Sequence, residues 1–247
     1  MLQRTVSLLL AFHLALACHA ADLPEKSSPR SFDAEAYERA LARIEARRRD
    51  LGRRYREATT EEARRGLRAR ARRFVVRSIT DTLFLAWLGT PWGLGRNSTA
   101  TRPHQPGMVV GCSYFVTSVL QNAGVQLEDR YRLARAPALE IQRALAPDPR
   151  HLHRYGSITP KELARRVRRL GDGLYLIGLN IHVGFVVVQG GKARIVHASY
   201  TPPRTVVDER LAQSAAIENS RPRGYFVSSL FRGDWLIERW LKGDGVK

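Results

Sequence analysis

The sequence predicts an α+β protein in which a helix packs on an antiparallel sheet. Three observations predict it. Helical spacing dominates up to residue 171, short runs rich in β-branched and aromatic residues follow, and no βαβ alternation joins the two regions. Of the 247 residues, about 225 remain once an N-terminal leader is set aside, enough for one domain with a helical extension.

The leader is MLQRTVSLLLAFHLALACHAAD. One arginine, an unbroken apolar run and a cluster of small residues follow the three-part pattern of a secretory signal, assigned to residues 1–20. Cleavage after Ala20 fits this pattern, and the ALAC ending at Cys18 offers lipidation as an alternative. Either route exports the chain. The polar, proline-bearing segment 21–31 reads as a linker.

Residues 32–80 read as a basic helical arm. Tyr37, Leu41, Ile44, Leu51 and Tyr55 form one stripe interrupted by Arg48, and Thr59 with Glu62 three residues on forms a capping box that restarts the helix. The second helix passes Leu67, Phe74 and Val75 and enters ITDTLFLAWLG, where apolar density rises. Residues 81–247 are expected to form the main domain. GTPWGLGRNSTATRPHQPGMVVG, 89–111, is a loop by its glycines and prolines.

CSYFVTSVLQNAG follows as a helix with Phe115, Val116, Val119 and Leu120 inward, ended by Gly124. A helix is expected over 130–145, and another with Thr159 as N-cap, Pro160 in the first position and Gly171 as stop. LYLIGLN, HVGFVVVQ, ARIVHASY and GYFVSSLF are strand candidates, with Gly190-Gly191 as a hairpin turn and GDWLIERWLKG as a terminal helix.

In an oxidising compartment the only candidate disulfide partner of Cys112 is Cys18, which export either removes or acylates, so Cys112 is expected as a free thiol. Gly111 and the helix that follows put this thiol at a helix N-terminus, where the positive dipole end lowers a thiol pKa. The competing reading is a small buried hydrophobe.

A nucleophilic thiol needs a histidine, and the histidine needs an orienting partner. With Gly190-Gly191 as a two-residue turn, Gln189 pairs with Lys192, Gly184 lies opposite His197, and His182 and His197 become diagonal neighbours on one face. Gly184 leaves room between them. His104 reads as a solvated loop residue, and the alternation of His151 and His153 lacks the further ligands that zinc needs.

GTPWGLG, GCSYFVTSVLQNAG and HVGFVVVQGGKARIVHAS together resemble the NlpC-type papain-like cysteine peptidases of bacterial cell walls, over residues 85–200. HVG followed by a short hairpin and VHAS is the most specific part. The resemblance implies a papain-like (NlpC-type) domain that cleaves an amide of a peptidoglycan stem peptide. It makes Cys112 the nucleophile, His182 the acid/base and His197 its orienting partner. The backbone N–H of Cys112, with Trp92 nearby, would serve the oxyanion.

Family members commonly carry aspartate before the cysteine, glycine two places after it and tyrosine in the first loop. Gly111, Tyr114 and Trp92 stand there instead. Ser113 alone survives of the residues that hold the amino end of the stem peptide, so Trp92 and Ser113 are the expected substrate contacts, with amine recognition altered. No metal or organic cofactor is implied.

The net charge of +18 and a pI near 11.0 suit an anionic partner, although lysine is confined to Lys26, Lys161, Lys192, Lys242 and Lys247. Export argues against nucleic acid. The expected partner is peptidoglycan or another anionic envelope polymer, with membrane contact only if Cys18 is lipidated. Two alternatives stand beside hydrolysis: acyl transfer or ester cleavage at the same thiol, and non-catalytic envelope binding by the basic helices.

Overall fold

The computed structural model describes residues 32–247, so the signal, Cys18 and the linker lie outside the described residues. Helix α1 (Ala34–Glu57) begins where the Asp33 carboxylate accepts from the Ala36 N–H at 2.8 Å. Helix α2 (Glu61–Ser78) is capped by Thr60, not by the expected Thr59. Thr60 has the extended backbone an N-cap needs, and its hydroxyl accepts from Ala63 N at 3.2 Å. A π-helical turn (Ile79–Leu83) carries the chain on into α3 (Phe84–Trp87), sinking Leu83, Phe84 and Trp87 into the core.

Helices α4 (Cys112–Asn122), α5 (Arg130–Arg135) and α6 (Ala138–Leu145) follow. The single helix expected over 130–145 is broken at Pro137, whose ring drives Ala136 to ψ 153, an extended conformation. Strand β1 (Leu152–Tyr155), α7 (Pro160–Arg168), β2 (Gly173–Gly178), β3 (Val183–Gln189), β4 (Lys192–Ala198) and β5 (Val206–Arg210) come next, then α8 (Ala215–Ser220), β6 (Tyr225–Ser229) and α9 (Asp234–Lys242). Thr159 caps α7 as expected, accepting from Glu162 N at 3.2 Å.

The six strands form one antiparallel sheet in the order β1-β6-β2-β3-β4-β5. The protein is therefore α+β. Four of the strands were legible as apolar runs; β1 and β5 are additional. Along β2 and β3 successive side chains alternate between two cores. Leu174, Leu176, Phe185 and Val187 face one with α1–α4, α6 and α9, while Tyr175, Ile177, Val186 and Val188 face another with α7 and α8. Sheet faces covered on both sides explain why these strands read as continuous apolar runs.

The arm is a helical hairpin, but it is not an appendage. Tyr37, Ile44, Leu51, Leu67, Ala71 and Val75 share a core with Trp87, Phe115 and Phe185, and residues 32–247 form one compact unit. Helix α9 closes that core. At Gly52 of α1 a Cβ would collide with the Leu241 carbonyl, Arg48 Nη1 donates to Trp240 O at 3.2 Å, and Trp240 Nε1 donates to Ala123 O at 2.7 Å. No helix among the described residues is long and apolar enough to cross a membrane.

Candidate active site

Gly190 and Gly191 adopt φ of 55° and 73°, the left-handed pair that a tight hairpin turn requires. The register is Gln189↔Lys192 through Phe185↔Val196, which carried on by one step sets Gly184 opposite His197. A Cβ at Gly184 would stand 2.8 Å from the His197 Cβ. Glycine is the residue that lets this strand position face an imidazole.

The two imidazoles meet across that gap. His182 Nε2 lies 2.7 Å from His197 Nδ1, and both residues are buried. His197 Nε2 in turn lies 3.1 Å from Oε1 of Glu209, a β5 residue that the sequence reading did not single out. This carboxylate fixes the tautomers. Held below its ordinary value first by the His197 hydrogen bond, it can only accept, so His197 Nε2 carries the proton and His197 Nδ1 a lone pair. His182 Nε2 then donates to that lone pair, and His182 Nδ1 is left basic.

Cys112 opens α4. Its N-cap, Gly111, is extended at φ −76° and supplies no side-chain cap, so no cap side chain takes up the first-turn N–H groups. The thiol is free and partly exposed. Backbone N–H groups of Val183, Ser113 and Cys112, with the Ser113 hydroxyl, favour its ionised form, which puts the sulfur beside the residue that follows His182. Burial outweighs them and pushes the thiol above its ordinary 9.0. The helix terminus was expected to lower it. His182 is held well below 6.5, first by burial and then by His197. The resting site is thus a neutral thiol beside a neutral imidazole.

Comparisons with protein-family models, curated proteins and solved structures give no match.

Trp92 reaches the site through its backbone. It bridges Val110, two residues before Cys112, and its N–H donates to Arg204 O at 2.8 Å. Its indole stands 6.4 Å from the Tyr200 ring, which meets His182 edge to face at 5.2 Å. Trp92 and Tyr200 therefore form a line of rings that ends at the imidazole, and the Ser113 hydroxyl meets the thiol. Cys112, His182, His197, Trp92 and Ser113 are brought together; Glu209, Tyr200 and Arg204 join them from sequence that carried no motif.

His104 is not a solvated loop residue. Its Nε2 lies 3.0 Å from Leu88 O, its N–H donates to Thr90 Oγ1, and it stacks near Phe32, so it pins the 89–111 loop. His151 and His153 lie at the entry to and within β1, and no group of three metal-ligating side chains gathers among the described residues. A separate cleft of about 530 Å³ runs between α2 and the β2 and β3 strands, with Arg72, Arg73, Arg77 and Arg232 in its lining.

Proposed function

We propose that the protein is an exported, papain-like cysteine hydrolase of the NlpC type that cleaves an amide bond in peptidoglycan stem peptides. The observation that carries this reading is the 2.7 Å His182–His197 contact beside a thiol at an uncapped helix N-terminus. A purely structural histidine pair does not need a nucleophile on an open helix end.

In this mechanism the Cys112 proton passes to His182 Nδ1 as Sγ attacks the carbonyl carbon. The oxyanion collects at the Cys112 N–H and the dipole of α4. His182 then gives its proton to the amine nitrogen as the C–N bond breaks, leaving a thioester and a free amine. Water, deprotonated by the same nitrogen, cleaves the thioester and restores the thiol. His197 and Glu209 hold the imidazole and stabilise the imidazolium between the two transfers.

The second reading, attachment to an anionic envelope polymer, draws on the arginine-lined cleft. Arg73 and Arg77 are exposed there, and among the described residues neither forms an ion pair. Such a face would complement hydrolysis by holding the enzyme on the wall. Release of fragments from purified peptidoglycan, read by mass spectrometry, tests the proposal. Cys112→Ala and His182→Ala are expected to abolish release with the fold intact, and His197→Ala to reduce it; a fully active Cys112→Ala protein ends it.

A further inference from the structure

We infer that helix α2 forms one wall of a continuous groove that holds a linear polyanion with phosphate in its backbone, lying lengthwise along the helix and apart from Cys112 and His182. This deepens the attachment reading above by naming the surface and the ligand chemistry, and it does not rest on the hydrolase reading. Three clefts carry it, of about 500, 480 and 530 Å³. The first and second share Arg70, and the second and third share Arg73 and Arg77, so the clefts follow one another along α2. The helix has 18 residues, and the groove therefore runs for about 27 Å.

Each cleft sets an arginine of α2 beside one from a second element. Arg70 is joined by Arg54 of α1, Arg73 by Arg47 of α1, and Arg77 by Arg232, which follows β6. Seven arginines line the groove against three acidic side chains, Glu62, Asp81 and Asp172. Two of the three are already engaged: Asp81 accepts from Thr80 Oγ1 at 2.6 Å, and Asp172 from the Gly190 N–H at 3.1 Å.

The arginines are engaged unequally. Arg47 and Arg54 meet Asp50 at 2.9 and 3.7 Å, and Arg72 meets Asp234 at 2.9 Å. Arg70, Arg73 and Arg77 are exposed, and among the described residues none of them forms an ion pair or a side-chain hydrogen bond. Spaced i, i+3 and i+7, they share one face of α2, where like charges destabilise a helix. An anionic chain that meets all three offsets that cost.

Guanidinium forks from two elements can grip, from either side, an oxyanion that lies within a chain. A phosphodiester repeat meets this condition, since its charge sits in the backbone. A membrane-seeking face mixes cations with exposed apolar anchors, and single-stranded nucleic acid needs rings on which bases stack. The exposed large apolar side chains among the described residues, Leu85, Leu94, Tyr131, Ile181 and Trp235, all lie off α2.

Binding of long-chain inorganic polyphosphate to the wild-type protein, read by titration calorimetry at several salt concentrations, tests the groove. The long chain should bind more tightly per phosphate than tripolyphosphate, which is too short to span the three clefts. Replacing Arg70, Arg73 and Arg77 together by glutamine should weaken binding by about ten- to hundredfold and lower the slope of log affinity against log salt by about three. Glutamine is a good helix former, so the melting temperature should hold. Arg132→Gln, Arg135→Gln and Arg143→Gln remove the same charge from exposed positions on α5 and α6, and together should change the affinity by less than about twofold.

Equal losses in the two triple variants, or affinity per phosphate that ignores chain length, overturn the groove and leave only attraction by net charge. Binding to phosphatidylglycerol vesicles that exceeds binding to polyphosphate and depends on the same three arginines overturns the polymer in favour of a membrane surface. A wild-type protein that does not bind polyphosphate overturns the groove and the attachment reading together, with hydrolysis untouched.

Discussion

Replacing Glu209 by glutamine removes one charge from the end of the imidazole line while keeping an acceptor of the same shape. Its effect can be worked from distances. The carboxylate meets His197 Nε2 at 3.1 Å, and His197 Nδ1 meets His182 at 2.7 Å, so the charge lies roughly 8 Å from the His182 ring. At an effective dielectric of about 20 this attraction is worth about 2 kcal/mol to an imidazolium. The Glu209 side chain is 36% exposed, and solvent screening brings the figure nearer to 1 kcal/mol.

A loss of about five- to thirtyfold in kcat follows, with KM little changed, because the imidazolium exists in the transition state and not in the resting site. Iodoacetamide labelling of Cys112 gives a second readout free of any substrate. Its pH profile should move up by about one unit in Glu209→Gln, since the carboxylate favours the thiolate–imidazolium pair. A glutamine variant with unaltered kcat and an unaltered labelling profile refutes the claim that Glu209 acts through His197.

Two further outcomes follow from the same geometry. Gly184→Ala puts a methyl group 2.8 Å from the His197 Cβ and 3.3 Å from Val196 O; overpacking of this kind costs about 1–3 kcal/mol, so the melting temperature should fall by several degrees together with activity, and an unchanged melt refutes the contact. His182 titrates well below 6.5 in the folded chain, so below that pH the unfolded chain binds a proton that the folded chain excludes. Stability then falls as the solution is acidified, by up to about 1.4 kcal/mol per pH unit. Urea midpoints between about pH 7.5 and about pH 5 should drop less for His182→Gln than for the wild-type protein, and equal drops refute the assignment to His182.

The parts of the site that local chemistry determines were legible in the sequence. A Gly-Gly turn between β-branched runs fixes the hairpin register, and the two-residue period then places His182 and His197 on one face with Gly184 between them. Glycines at 111 and 124 bound the cysteine helix. Glu209 escaped notice because Asp208, Glu209 and Arg210 dilute the apolar pattern of β5, and its hydrogen bond to His197 arises from pairing with β4, not from spacing along the chain. The Tyr200–Arg204 loop turns on a left-handed arginine, a conformation that no glycine advertises. The protonation state of Cys112 was misjudged for a related reason: the helix end is visible in sequence, whereas the strand that buries the sulfur comes seventy residues later. The basic helices looked like an appendage since their arginines outnumber the apolar stripe that binds them to the core.

Helix α9 is the piece that grips both α1 and the far end of the cysteine helix through Gly52, Arg48 and Trp240. Its Leu236, Ile237, Trp240 and Leu241 are buried in the core that α1, α2 and α4 share. The core at the far end of α4 is therefore incomplete until a segment 117 residues further along the chain has docked. Closing a contact over that separation carries a large loop-closure cost, which makes completion of this core a late event in folding.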